Sequence, residues 1–259
     1  MKTSVLGFLT LLLVPQMFVH AGDVAREKRM AAEIVDAILD GDAVYLMAAE
    51  HEFLTIYTEA EEAQGTVIIL HGRGFHPDWQ DAIKPMRVGL AEGGWNTLSV
   101  QMPVLEKQAK YYDYIPIFNE AYPRIDAAIE FAKEQNSKKI VLVAHSCGAH
   151  MAMSWLENKN RNAESVNIDA YVGLGMGATD YKQPMREGFP LDTLNVPILD
   201  IYADEDYPAV IKMSAERMRL IKAAGNKKSK QLVIKNSQHY YADRGDELTA
   251  AIQTWLNSL

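Results

Sequence analysis

From residue 66 onward, short runs of apolar and β-branched residues alternate with longer segments in which apolar residues recur every three or four positions. The short runs predict strands at 66–70, 96–100, 139–143, 170–174, 197–202 and 231–235. The segments between them predict helices at about 79–91, 119–134, 147–157, 209–223 and 246–257. Continuous apolar strands are typical of parallel sheets that are covered on both faces. The alternation therefore predicts an α/β fold, a doubly wound and mostly parallel β-sheet flanked by helices.

The chain before residue 66 has a different pattern. Residues 23–39 combine many charges with a helical spacing of apolar residues, which predicts an amphipathic helix that ends near Gly41. Two short runs rich in β-branched or aromatic residues, at 43–47 and 53–58, predict an antiparallel pair of strands. Because the rest of the sheet is predicted to be parallel, we expect this pair at its edge.

The length of the chain favours one large domain. Removal of a 21-residue signal from the 259 residues would leave 238, and α/β domains of roughly 250 residues are common. We therefore expect a single domain over 22–259, with a helix and edge strands over 22–65 and the core over 66–259. Residues 175–195 have little helical pattern, so we expect no large cap over the sheet.

The first residues resemble an export signal. Residues 1–21 begin with the charge of Lys2, continue with a mostly apolar run and end at Ala21 in a small-residue cleavage site. The alternative is an uncleaved membrane anchor, but the run is interrupted by Pro15 and is shorter than the roughly 18 apolar residues that an anchor needs. We expect a mature chain that begins at Gly22 and is exported, to the bacterial periplasm.

Charge and cysteine content exclude some classes of protein. The formal charge is -8 and becomes -9 when Lys2 leaves with the signal, so nucleic acid is not an expected partner. No later apolar segment is long enough to span a bilayer, so we expect no stable membrane span. Cys147 is the only cysteine, so it has no intramolecular disulfide partner.

The strand predicted at 139–143 leads directly into a serine with small neighbours. The sequence Ala144-His145-Ser146-Cys147-Gly148 places small residues two positions before and two positions after Ser146. A nucleophile elbow requires this pattern, because those two neighbours almost touch in the tight turn between strand and helix. The usual pattern has glycine at both places, so Ala144 departs from it by one methyl group.

A serine nucleophile needs a base and an acid that orients the base. Among the histidines, only His239 follows the last predicted strand and precedes the C-terminal helix. The turn after strand 197–202 supplies the acid, for which we favour Asp206 and keep Asp204 in reserve. Asp180, in the preceding loop, is a third candidate. The resulting order, serine then acid then histidine, is the one expected on such a sheet.

Backbone N–H groups would have to stabilise a negative oxygen during the reaction. One candidate is the amide of Cys147, which begins the helix after the elbow. The other lies in the glycine-rich loop after strand 66–70, where we favour the Arg73 amide over that of Gly74. Glycines allow the backbone there to approach a ligand closely.

These motifs together resemble the α/β-hydrolase superfamily over the region from residue 66 to the C-terminus. They are the loop at 71–74, the elbow at 144–148, Asp206 after its strand, and His239. The blocks at 75–79 and 95–103 also resemble a bacterial group of exported proteins within that superfamily.

The leading hypothesis is an exported serine hydrolase that cleaves a carboxylic ester or related acyl bond. Ser146 would attack, His239 would carry the proton and Asp206 would hold the histidine. The amides of Cys147 and Arg73 would form the oxyanion hole. The substrate would be a small molecule or a cell-envelope acyl group, and no metal or organic cofactor would be needed.

Two other functions remain open at this point. The irregular elbow would suit a non-catalytic envelope protein that binds a ligand on the same fold, since fold alone does not prove function. A metallohydrolase built from His71, His76 and neighbouring acids is a weaker idea. For these two histidines, and for His145 and His150, we expect packing or hydrogen-bonding roles. We also expect Asp78 to cap a helix, or else to line the pocket.

Overall fold

The computed structural model describes residues 21–186 and 188–259, so the predicted export signal lies, apart from Ala21, outside the described residues. The strands are β1 (Asp42–Ala48), β2 (His51–Thr58), β3 (Thr66–Leu70), β4 (Asn96–Val100), β5 (Ile140–His145), β6 (Ala170–Leu174), β7 (Ile198–Glu205) and β8 (Lys230–Gln238). They form one sheet in the order β1-β2-β4-β3-β5-β6-β7-β8.

Strands β3 to β8 run parallel to one another, and the antiparallel hairpin of β1 and β2 is joined to the edge of β4. The helices are α1 (Val24–Ile34), α2 (Ile83–Glu92), α3 (Tyr111–Tyr114), α4 (Tyr122–Glu134), α5 (Cys147–Arg161), α6 (Pro208–Ala223) and α7 (Gly245–Leu256), with 3₁₀ turns at Val35–Ala37, Ile115–Ala121 and Leu191–Thr193. The predicted α/β class, the mostly parallel sheet and the edge hairpin are confirmed.

The sheet has a hydrophobic core on each face because successive strand residues point to opposite sides. In β3, Ile68 and Leu70 belong to a core that includes residues of α4 and α5. Val67 and Ile69 belong to the other core, which α2 and α7 cover. Two-sided coverage explains why the parallel strands are read in the sequence as continuous apolar runs.

One helix begins later than predicted. The structure starts α2 at Ile83, not at residue 79, and the residues before it form turns whose side chains have other partners. The carboxylate of Asp78 accepts hydrogen bonds of 2.7 and 3.2 Å from the buried guanidinium of Arg87, and the ring of Trp79 stacks on Phe75 at 3.9 Å. Asp78 therefore does not cap α2, whose N-cap is Ala82.

Two further buried ion pairs connect separate parts of the chain. Arg217 of α6 donates from Nε to Asp200 of β7 at 2.8 Å, and both side chains are buried. Arg124 of α4 donates to Glu27 of α1 at 2.8 Å and also to the carbonyl of Gln101 at 2.9 Å. The second pair ties the N-terminal helix to the main body of the fold.

The loop between β6 and β7 has one short element in its described part, the 3₁₀ turn Leu191–Thr193. This agrees with the expectation that no large cap covers the sheet. In the part of the chain that the structure describes, no helix is both long enough and apolar enough to cross a bilayer.

Candidate active site

Ser146 occupies a sharp turn between the end of β5 and the start of α5. Its φ of 55° and ψ of -118° are rare for a residue with a side chain and cost about 1–3 kcal/mol. Its amide donates to the carbonyl of Leu174 at 2.9 Å, which fixes the turn against β6. The turn therefore has the strained geometry that the elbow pattern predicts.

Gly148 shows why this turn needs a small residue. A Cβ at Gly148 would lie 2.6 Å from the carbonyl oxygen of His71 and 2.7 Å from that of Leu70, both of them backbone atoms. At the other small position, Ala144 is fully buried and pairs with Gly173 across β5 and β6. The fold thus accommodates the methyl group of Ala144 but has no space for one at position 148.

The three residues predicted to act together are in contact. Nε2 of His239 lies 2.8 Å from Oγ of Ser146, and Nδ1 of His239 lies 2.6 Å from Oδ1 of Asp206. A carboxylate only accepts hydrogen bonds, so Nδ1 carries the proton. Nε2 is then free to accept the hydroxyl proton of Ser146. All three side chains are buried.

Asp206 and Asp204 have different surroundings. The Asp206 carboxylate accepts hydrogen bonds from the amides of Tyr207 at 2.7 Å and Ala203 at 3.2 Å, which hold it toward His239. Asp204 accepts a hydrogen bond from the Ser237 amide at 3.2 Å, and this bond lowers the pKa of the Asp204 carboxyl. The structure therefore pairs Asp206, not Asp204, with the histidine.

Asp180, the third candidate acid, pairs with the guanidinium of Arg73. It also accepts a hydrogen bond from the Tyr111 amide at 2.7 Å. Burial raises the pKa of the Asp180 carboxyl, but the hydrogen bonds from Arg73 and Tyr111 outweigh that effect and keep the pKa below its ordinary value. Asp180 is thus an ionised link between two loops and does not contact His239 directly.

Two buried histidines support the loops of the site. Burial lowers the pKa of His145 and of His71 to about 3, so both rings are neutral at ordinary pH. His145 donates from Nε2 to the carbonyl of His239 at 3.0 Å. His71 donates from Nδ1 to the carbonyl of Gly72 at 2.7 Å and accepts from the Met102 amide at 2.9 Å. The hydrogen-bonding roles expected from the sequence are confirmed for both.

The two favoured oxyanion amides belong to residues that line the same small cavity as Ser146. That cavity, which we call the Ser146 cavity, is lined by Arg73, Tyr111, Ser146, Cys147, Ala178, Thr179, Tyr207 and Tyr240. Cys147 is the first residue of α5, where a helix leaves its N–H groups without internal partners. Within the described ranges, the amides of Cys147 and Arg73 donate to no protein acceptor. The Ser146 cavity does not include Gly74, whose carbonyl accepts from Arg26 at 3.4 Å.

Cys147 has the chemistry of a buried thiol. Burial raises the pKa of this thiol to about 12, and a protonated thiol is a poor nucleophile.

Gly175 is a site residue that the sequence analysis missed. It follows β6 with a φ of +58°, and a Cβ at this position would lie 2.7 Å from Cε1 and 2.8 Å from Nδ1 of His239. Its signal in the sequence is a glycine immediately after a predicted strand, at the end of the sheet where ligands bind. The absence of a side chain at 175 leaves room for the histidine ring.

Aromatic residues border the site. Of the segment 111–114, Tyr111 lines the Ser146 cavity, whereas Tyr114 is buried and accepts a hydrogen bond from the Leu105 amide at 2.9 Å. Tyr207 stacks on the ring of His239 at 4.3 Å. Its hydroxyl lies 2.8 Å from that of Tyr240, and both rings are partly exposed.

The arrangement of His71 and His76 does not favour the metal-site idea. Both ring nitrogens of His71 are engaged in the hydrogen bonds given above, and Nδ1 of His76 accepts from the Asp78 amide at 3.2 Å. Over residues 21–186 and 188–259, no group of three or more His, Cys, Asp or Glu side chains is arranged to hold a metal ion.

Comparison of the sequence with family models decides the family. A model described as "Protein of unknown function (DUF3530)" matches residues 19–114 and 117–258. The chain belongs to the DUF3530 family. No sequence among the curated proteins matches this member of DUF3530.

Solved structures share the fold of this DUF3530 protein. A serine hydrolase homologue from Coxiella burnetii has a TM-score of 0.62 at 15% identity and covers 84% of this chain and 98% of its own. Est1E from Butyrivibrio proteoclasticus has a TM-score of 0.64 at 16% identity, covering 85% and 98%. An α/β serine hydrolase without a lid from Xanthomonas campestris has a TM-score of 0.60 at 12% identity, covering 85% and 95%. The protein therefore has the α/β-hydrolase fold.

Proposed function

We propose that this DUF3530 protein is a serine hydrolase that cleaves a carboxylic ester or a related acyl bond. The observation that carries the proposal is the continuous chain of hydrogen bonds from Asp206 through His239 to Ser146, with distances of 2.6 and 2.8 Å. The strained turn at Ser146 adds to it, because such strain persists where a residue must be held in one orientation.

In the first half of the proposed reaction, Oγ of Ser146 attacks the carbonyl carbon of the ester while Nε2 of His239 takes the hydroxyl proton. The negative oxygen of the tetrahedral intermediate accepts hydrogen bonds from the amides of Cys147 and Arg73. His239 then returns the proton to the departing alcohol. An acyl group remains on Ser146.

In the second half, water attacks the acyl group while His239 takes its proton, and the free acid leaves as Ser146 recovers its hydrogen. Asp206 stabilises the positive charge that His239 carries in each transition state. Because both groups are buried, this interaction is stronger than it would be in water. The scheme uses no metal ion and no organic cofactor.

The comparisons support the same chemistry. The relatives with this fold include a dienelactone hydrolase from Anabaena variabilis and an esterase from Pyrococcus furiosus. Est1E has been solved with bound ferulic acid. A small-molecule ester or an acyl group of the cell envelope is therefore the substrate class that we propose.

Covalent labelling with a fluorophosphonate tests the proposal. The wild-type protein should be labelled, and Ser146→Ala should abolish labelling while circular dichroism shows an unchanged fold. Ser214→Ala is the matched control, since its hydroxyl bonds to the Ile211 carbonyl on α6, outside this site. Absence of label on the folded wild-type protein would instead favour a protein that binds a ligand without turning it over.

Gly175→Ala should lower kcat about 10²-fold, the loss expected when a reacting group is displaced by roughly 1 Å. The added methyl would lie 2.7 Å from the ring of His239 and would move it away from Ser146. Steady-state hydrolysis of an activated ester measures the effect. The control is Gly188→Ala, where an added Cβ meets open space. Equal kcat values for Gly175→Ala and wild type would contradict the assigned position of His239.

Export of the protein is a further part of the proposal. It rests on the signal pattern of residues 1–21 and on the environment of Gly22, whose nitrogen lies 3.0 and 3.1 Å from the carboxylate oxygens of Glu120. Cleavage after Ala21 would place a charged amine at that nitrogen, opposite the acid. Intact mass measurement of the protein from the periplasm should give a chain that begins at Gly22, and an uncleaved chain would contradict this.

A further inference from the structure

Two cavities meet at Tyr111. The first is the Ser146 cavity, which has the lining given above and a volume of about 30 Å³. The second, the aromatic cavity, has a volume of about 250 Å³. Its rings belong to Tyr111, Phe118, His150 and Phe189, and Met153 is among its apolar side chains. Among the described residues, Tyr111 is the only one that lines both cavities.

Tyr111 is held firmly in this position. It is buried, and its amide donates to Asp180, which in turn pairs with Arg73. Its ring lies 4.8 Å from the ring of His150 and 6.4 Å from that of Phe118. Tyr111 is therefore held both by the hydrogen bond of its amide and by the packing of its ring.

His150 completes the wall behind Tyr111. Burial lowers its pKa to about 4, so the ring is neutral, and Nε2 donates to the carbonyl of Ala178 at 3.0 Å. Ala178 lines the Ser146 cavity, whereas His150 lines the aromatic cavity. Tyr111, together with His150 and its hydrogen bond to Ala178, therefore lies between the two cavities.

The size of the Ser146 cavity restricts the acyl group. A cavity of about 30 Å³ holds roughly two water molecules. The methyl group and the carbonyl oxygen of an acetyl group are of that size, and Tyr111 lies between this cavity and the larger aromatic cavity that could hold a longer chain. The alcohol part of an ester can extend toward Tyr207 and Tyr240, which are partly exposed.

We propose that Tyr111 sets the acyl specificity of this site and that its substrates are acetyl esters of larger alcohols. The inference rests on the proposed function, since it assumes that Ser146 becomes acylated. The aromatic cavity would accommodate an acyl chain only if the ring of Tyr111 were removed.

A chain-length series tests this role. Wild-type protein is assayed for kcat/KM with p-nitrophenyl acetate, butyrate and octanoate, whose leaving groups are identical. We expect acetate to exceed octanoate by at least about tenfold, the scale on which a pocket discriminates by size. Tyr111→Ala should raise octanoate turnover at least about tenfold relative to acetate, because the two cavities then join. Tyr112→Ala is the matched control and should leave the ratio unchanged, since Tyr112 lines neither cavity.

Two further variants distinguish the proposed effect of Tyr111 from a folding defect. Tyr111→Leu is a smaller change that should shift the ratio in the same direction. Met153→Trp, added to Tyr111→Ala, should refill the aromatic cavity and cancel the gain for octanoate. A wild-type preference for octanoate, or an unchanged ratio in both Tyr111 variants, would overturn the role of Tyr111 but not the hydrolase. Failure to hydrolyse every ester, together with absence of fluorophosphonate labelling, would overturn the proposed function and this inference with it.

Discussion

Replacing Asp206 with Asn should lower kcat for ester hydrolysis about 10⁴-fold, the loss found when the acid of such a triad becomes an amide. Asp206 accepts the Nδ1 proton of His239 at 2.6 Å. An amide NH₂ at that place would favour the other tautomer, with the proton on Nε2. The histidine could then no longer accept a proton from Ser146. Steady-state kinetics with an acetyl ester measures the loss.

Asp204→Asn provides a control in the same turn. Its carboxylate accepts a hydrogen bond from Ser237 and does not contact His239, so kcat should stay close to that of wild type. Fluorophosphonate labelling should likewise be weakened in Asp206→Asn and stay close to that of wild type in Asp204→Asn. Equal losses in both variants would mean that the turn, and not the hydrogen bond to His239, is what the substitution disturbs.

The largest effect on stability is expected from Asp200→Ala, which should lower the free energy of unfolding by about 3–5 kcal/mol. Asp200 and Arg217 are both buried, and Nε of Arg217 lies 2.8 Å from Oδ2 of Asp200. Gln231 also donates to that oxygen at 2.7 Å. Removal of the carboxylate leaves the guanidinium charge buried without its counter-ion, which is costly. Urea denaturation of the purified protein measures the change.

Glu216→Ala, on the same helix as Arg217, tests whether burial is the cause. Glu216 pairs with Arg219 at 2.7 Å, but both side chains are exposed, and solvent weakens such pairs. We therefore expect almost no change in the denaturation midpoint. Equal losses of stability in Asp200→Ala and Glu216→Ala would contradict the conclusion that burial is what makes the loss of Asp200 costly.

The sequence predicted the central strands well because the sheet is covered on both faces. The runs at 66–70, 96–100 and 170–174 coincide with β3, β4 and β6. The elbow was also predictable, since its pattern of small residues lies within a few positions of Ser146, although the carbonyls that exclude a Cβ at Gly148 belong to Leu70 and His71. These features depend on local spacing, which a sequence displays directly.

Other features depend on contacts between distant residues. The pairing of Asp78, in the turns before α2, with Arg87 of that helix is not revealed by any helical pattern. The choice between Asp204 and Asp206 depends on which carboxylate reaches Nδ1 of His239, a residue 33 positions away from Asp206 in the chain. The partition by Tyr111 likewise emerges only when α3 and α5 are packed together.

The N-terminal helix contacts the loop that carries the Arg73 amide and also α4. Arg26 donates to the carbonyls of Gly74 and Leu105, so α1 supports the loop that carries the Arg73 amide. Glu27 neutralises the buried Arg124 of α4. A shortened chain beginning at residue 66 would lose both contacts and would leave the β2-facing edge of β4 unpaired. Attempts to shorten this protein should therefore retain α1, and variation of its surface offers a route to alter the loop that carries the Arg73 amide from outside the Ser146 cavity.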